Sequence, residues 1–141
     1  MNDLRGKHAE RGTVALAIAN ATVRLMSEHT GRGPTKARTH LSKDMITVVL
    51  EQSMTTGERS LQREGKGELV LTVRRAYQET VAPQLIDAVQ RLSGRRVLAF
   101  LSANNLEPDL AVETFMLAPA NGDEEELPAL KAARSGLRTP G

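Results

Sequence analysis

Residues 68–92, ELVLTVRRAYQETVAPQLIDAVQRL, constrain the fold more than any other stretch. Leu69, Val73, Ala76 and Thr80 recur at helical spacing, and Val81, Leu85, Ala88 and Leu92 continue the period. That pattern predicts a long helix with one apolar stripe, which needs an apolar surface beneath it. Two β-like blocks, residues 39–51 and 95–117, stand ready on either side to supply one.

A chain of 141 residues has room for one domain with a real core, and not for two. Aromatic residues make up only 2%, so Leu, Val, Ile, Met and Ala must fill that core. The net charge of +2 is too small to argue for nucleic acid. The absence of cysteine excludes disulfides, thiolate metal sites and a thiol nucleophile. No apolar run approaches the ~18–20 residues of a membrane span. The first residues, MNDLRGKHAERG, are charged and lack the apolar core of a signal peptide, so a cytoplasmic protein is expected.

Residues 1–12 read as a flexible N-terminus. Thr13 then opens a helix whose stripe is Val14, Ile18, Ala21 and Leu25, widened by Ala15, Ala19, Thr22 and Met26. Gly31 and Gly33-Pro34 end it. The following GRGPTKAR is rich in Gly and cations, but it lacks phosphate-loop spacing and follows a helix instead of preceding one, so a turn is expected. A hairpin comes next: residues 36–41 alternate, Ser42-Lys43-Asp44 turns, and MITVVL returns apolar on both faces, as a central or doubly covered strand does. Thr55 and Glu58 fit a capping box that starts a short helix. Pro83 should kink the long helix without ending it, and Ser93-Gly94 should end it. Strands are then predicted over 96–102 and 110–117, with turn chemistry between them. In the second, Val112, Thr114 and Met116 face one way, and Ala111, Glu113, Phe115 and Leu117 the other. Residues 120–141 hold four acids and three bases with few apolar residues, and read as a disordered tail with a nascent helix over 127–134.

Chemistry-bearing residues are sparse. His8, His29 and His40 belong to no metal-binding pair spacing, so no metal is expected. No nucleophile motif appears, and Glu107, Asp109 and Glu113 read as a solvated rim around the last hairpin. The one candidate surface is cationic. Lys36, Arg38 and His40 share a face of the first strand, with Arg32 and Arg96 as possible contributors. Two readings stand: cations guarding a sheet edge against pairing, or a seat for an anionic ligand or acidic partner. Edge strands commonly carry such charges, which favours the first. Tyr77, Phe100 and Phe115 read as core or near-core, so stacking platforms for nucleic acid are lacking and nucleic acid is an unlikely partner.

GRGPTKART, MITVVLEQSMTTGERSL and VRRAYQETVAPQLIDAVQRLSGRRVLAFLSANNLEPDLAVETFML, in that order, carry a resemblance. Together they cover nearly all of residues 10–118, and the chain resembles the bacterial MpsC-like (YbcI-like) family, long known as a domain of unknown function. The resemblance implies a small bacterial protein, some of whose relatives are encoded beside a membrane system tied to sodium or inorganic-carbon transport. It offers no catalytic residues and no cofactor to carry over. Pro83 departs from the family pattern, where a helix-compatible residue is usual.

The expected fold is therefore α+β, in the order αββααββ, with a four-stranded, mainly antiparallel sheet and a single domain over 13–119. Because three strands are apolar on both faces, the first helix or a second subunit must cover the side away from the long helix. The expected function is a non-enzymatic accessory or interaction protein, a homodimer pairing through the face that holds Val49 or Phe115, with a peripheral membrane-complex partner. The alternative is a small anionic-ligand or nucleic-acid binding module.

Overall fold

The computed structural model describes residues 2–120; the expected tail over 121–141 lies outside them. The element order is α1 (Asn2–Thr30), β1 (Lys36–Leu41), β2 (Met45–Glu51), α2 (Thr56–Arg63), α3 (Gly67–Ser93), β3 (Val97–Asn105) and β4 (Leu110–Leu117). The four strands form one antiparallel sheet in the order β1-β2-β4-β3. This is the expected α+β arrangement. It places the doubly apolar β2 and β4 in the centre and the cationic β1 at an edge.

The first helix starts at Asn2, not at Thr13, and residues 4–13 are exposed along it. Arg11 fastens this early part to the sheet edge by donating to the Leu41 carbonyl at 3.0 Å. Beyond it the expected stripe is the buried one: Ile18, Ala19, Thr22, Leu25 and Met26 all face inward. Gly31, at φ 79°, takes the left-handed conformation that ends the helix. Gly33 then passes so close to α1 that a Cβ there would meet Val23 Cγ1 at 3.2 Å and Ser27 Cβ at 3.3 Å. The GRGPTKAR segment is thus a tight structural turn.

The capping box forms as expected: Thr55 Oγ1 accepts from Glu58 N, and Glu58 Oε1 accepts from Thr55 N at 2.9 Å. The long helix continues through Pro83 and ends at Gly94, φ 68°. Its buried face differs from the expected stripe in the first half. Val70, Arg74 and Gln78 point inward, whereas Leu69 is 50% exposed and Ala76 and Thr80 are exposed. From Val81 onward the expected and observed faces agree at Val81, Leu85 and Ala88.

Both long helices lie on the same side of the sheet. Ile18, Leu25 and Met26 of α1 and Val81, Leu85, Ala88 and Val89 of α3 share one core with Ile46, Val48, Leu50, Ala111, Phe115 and Leu117. The first helix therefore does not cover the far face. Phe115, fully buried in this core, cannot belong to a pairing surface. Phe100 packs on it with ring centroids 5.0 Å apart, while Tyr77 is largely exposed and not part of the core.

Candidate functional site

Two features depart from what a two-layer domain needs: a polar cluster inside it and an apolar sheet face outside it.

The cluster forms where the first half of α3 crosses β3 and β4. Strand alternation points Glu113 inward with Ala111 and Phe115, and Ser102 and Asn104 of β3 lie in the same layer through the pairs Ser102↔Glu113 and Asn104↔Ala111. Helical spacing delivers Arg74 and Gln78 from above. Arg74 donates to Asn104 Oδ1 at 3.1 Å, to Glu58 Oε2 at 3.3 Å and to Ser53 Oγ. Gln78 Nε2 donates to Asn104 Oδ1 at 3.0 Å and to Glu113 Oε1 at 2.8 Å, and the Asn104 amide returns a bond to Gln78 Oε1 at 2.8 Å. The Ser102 hydroxyl donates to the second Glu113 oxygen. Arg74 is 7% exposed and Glu113 0%. Arg74 is ion-paired with Glu58, and both Glu113 oxygens accept hydrogen bonds, so no charged or polar end here is left without a partner.

Burial pushes the Glu113 pKa from 4.5 up to about 7, against the opposing pull of the Ser102 and Gln78 hydrogen bonds and of the Arg74 charge. Glu113 is thus a sheet-centre carboxyl, and the expected solvated rim dissolves: Asp109 accepts from Met54 N at 2.9 Å and ties down the approach to α2. No histidine joins the cluster; His29 meets Gln84 at 2.7 Å, while His8 is exposed on α1 and His40 on β1. Without an imidazole, a serine–carboxylate pair lacks the usual activating base. Among the described residues no group of three or more His, Cys, Asp or Glu is placed to hold a metal ion.

The apolar surface is the sheet face away from the helices. Its rows follow from the register: Lys36–Glu51–Leu110–Asn105, Arg38–Val49–Val112–Ala103, His40–Thr47–Thr114–Leu101, and Met45–Met116–Ala99. Met45 is 37% exposed and Leu101 57%, and Val49, Val112 and Met116 are only half-buried. Thr47 and Thr114 face each other across the centre, hydroxyls 3.4 Å apart.

The structure brings three of the five cationic candidates together. Lys36, Arg38 and His40 project from one face of β1, but Glu51 lies against Lys36 at 4.0 Å and Arg38 at 3.5 Å, so their field is partly neutralised. Arg32 does not join them: its guanidinium donates to the Met54 carbonyl at 2.7 Å. Arg96 lies beside the first residue of β3, at the opposite edge and opposite end of the sheet from Lys36, and cannot add to the same site.

Sequence reading missed the internal cluster altogether. Its signal was present: a glutamate on the apolar side of β4 demands a buried partner, and residues 70, 74, 78 and 81 form a helical row with polar members in its middle.

Fold and surface together define a small two-layer α+β protein with one apolar sheet face uncovered by any described element. No helix among the described residues is long and apolar enough to cross a membrane. The chain belongs to the MpsC family: residues 10–119 match the family model described as "Na+-translocating membrane potential-generating system (MpsC)". No curated protein and no solved structure matches the chain significantly.

Proposed function

We propose that this chain is a non-enzymatic accessory protein of a sodium-linked membrane system, acting from the cytoplasm as a homodimer. The observation that carries the reading is the bare sheet face of Met45, Val49, Val112, Met116 and Leu101. Apolar surface of this continuity marks an interaction site on a folded protein. Pairing two copies through it would make a four-layer particle with both helix layers outward, free to meet a membrane-embedded partner. The family description supports the setting, and the buried, internally hydrogen-bonded polar cluster supports a structural role in place of catalysis. The anion-binding alternative has less support, because Glu51 already occupies Lys36 and Arg38, and Arg32 and Arg96 lie elsewhere.

Two measurements test the two parts separately. Sedimentation at micromolar concentration should give twice the 15.3 kDa chain mass, and Val49→Asp with Val112→Asp should give one. A monomeric wild type at high concentration refutes the dimer. In the host, deletion of the gene should abolish the sodium-dependent part of the membrane potential read by a potential-sensitive dye. An unchanged potential refutes the accessory role.

A further inference from the structure

The two edges of the sheet are built differently. β1 is short, carries Lys36, Arg38 and His40, and has α1 packed along it, with Arg11 bonded to the Leu41 carbonyl. β3 runs over nine residues, VLAFLSANN, with no charge and no proline. Among the described residues no strand pairs with its outer edge, and Leu101, Ser102 and Ala103 are exposed. A long uncharged edge is a template for a further strand. The register with β4 shifts between Val97 and Ala99 and is regular from there to Asn105. Residues 99–105 are thus the stretch open to pairing, and Ser102 is their midpoint.

α3 packs on the helix side of β3, toward which Phe100, Ser102 and Asn104 point. Tyr77 turns to α1, beside Met26 and Thr30, whereas Leu71, Arg75, Glu79 and Ala82 form the opposite flank of α3, above the β3 edge. This flank and the helix side of β3 bound an open groove of about 490 Å³. Arg75 and Glu79 are exposed and one helical turn apart, and neither is ion-paired among the described residues. Their midpoint lies level with Ser102: the adjacent Gln78 donates to Asn104 and to Glu113, the cross-strand partner of Ser102.

A two-fold axis normal to the sheet at Ser102 therefore serves strand and helix together. It sets residues 99–105 antiparallel to the same residues of a second copy, with Ser102 opposite itself. Under such symmetry, if residue i meets j, then j meets i. Arg75 thus faces Glu79 of the second copy, and Glu79 faces its Arg75. Leu71 and Ala82 flank these pairs and meet each other in the same reciprocal way. The charges of the groove are matched by the chain itself, and that identifies the occupant.

We propose that β3 is a second self-association surface, at which two copies join edge to edge into one continuous sheet with their α3 helices side by side over the junction. The contact uses the strand edge and the helix side, so it does not rest on pairing through the bare face. One strand pair and one helix flank place it at the small end of specific interfaces, below about 1,200 Å². It therefore forms at higher concentration than the face pairing and joins face-paired dimers to each other.

Sedimentation of the full-length wild type, carried from micromolar to millimolar concentration, should show the mass double from its micromolar value. A micromolar mass of one chain would count against the face, and a doubling above it would still support the edge. Arg75→Glu alone and Glu79→Arg alone each set like charges against each other twice across the axis, and each should raise the dissociation constant of this step about tenfold. The two variants mixed should double in mass as the wild type does, because every charge then meets its opposite. Both substitutions in one chain should recover for the same reason. The proposal is overturned by a mass that stays constant up to millimolar concentration, by single variants that associate like the wild type, or by a mixture that fails to recover.

Discussion

Replacing Glu113 by glutamine should remove a pH dependence of stability that the wild type carries. The carboxyl is fully buried, and its pKa stands at about 7 in the folded chain against 4.5 for the free group. That difference corresponds to about 3 kcal/mol, at about 1.4 kcal/mol for each tenfold. The sign follows from proton counting. Between these two values the native state holds a proton that the unfolded chain has released, so stability falls as pH rises. The contribution is complete below pH 4.5 and lost by the time pH has passed 7. Glutamine imitates the protonated form: its carbonyl can accept from Gln78, and its amide can donate to Ser102 once that hydroxyl rotates.

Denaturant titrations of wild type and Glu113→Gln, followed by circular dichroism from about pH 4 to about pH 8.5, isolate this one group, because all other titrations are common to both proteins. The two should be nearly equally stable at the acid end, and the variant should be ahead by up to about 3 kcal/mol at the alkaline end. A difference that stays flat would refute the buried-carboxyl argument. A wild type that gains on the variant as pH rises would mean that the Arg74 charge, and not burial, governs Glu113.

Two further outcomes are expected. Arg74→Met strands the Glu58 carboxylate in the interior and should cost about 3–5 kcal/mol in denaturant titrations; adding Glu58→Gln, which removes the charge and keeps an acceptor for Thr55 N, should recover much of it. Val70→Asp should unfold the domain, burial of an unpaired carboxylate costing several kcal/mol, whereas Leu69→Asp, one residue away on the exposed side, should shift the melting temperature little.

Those neighbouring substitutions also show where sequence reading held and where it slipped. In the second half of the long helix only one row is apolar, so the buried face had one solution, and Val81, Leu85 and Ala88 occupy it. In the first half Leu69, Val73 and Ala76 compete with Val70, and the winning row includes Arg74 and Gln78. Hydrophobicity cannot choose a row whose members are polar; their partners Glu58, Ser53, Asn104 and Glu113 come from three other segments and are brought together only by the fold. The strands were easier, because a period of two has only two faces, and β4 was read with its correct bounds and both faces correctly divided. Which face the helices cover is a different kind of fact. It depends on α1 packing beside α3, and that choice removed Phe115 from the exposed set and left Val49 in it. The cationic candidates split for the same reason: Lys36, Arg38 and His40 share a strand, so local alternation united them, while Arg96 is separated from them by the order of strands in the sheet.

The two departures from simple layering stand in physical contrast. The cluster around Arg74 and Glu113 satisfies its polar groups internally, so its removal as a set, with apolar residues of similar volume, need not weaken the domain. The bare face has no such internal answer. Val49, Val112 and Met116 are only half-buried and Leu101 is exposed in the isolated chain, and the cations on β1 limit pairing only along the strand edge, not stacking onto the face. A charge at Val49 should therefore leave the isolated domain nearly as stable as before, while charges at Val70 or Leu85 unfold it. That asymmetry would separate a surface from a core kept for the fold, and it is why the proposed pairing is tested at Val49 and Val112 and not at the buried cluster.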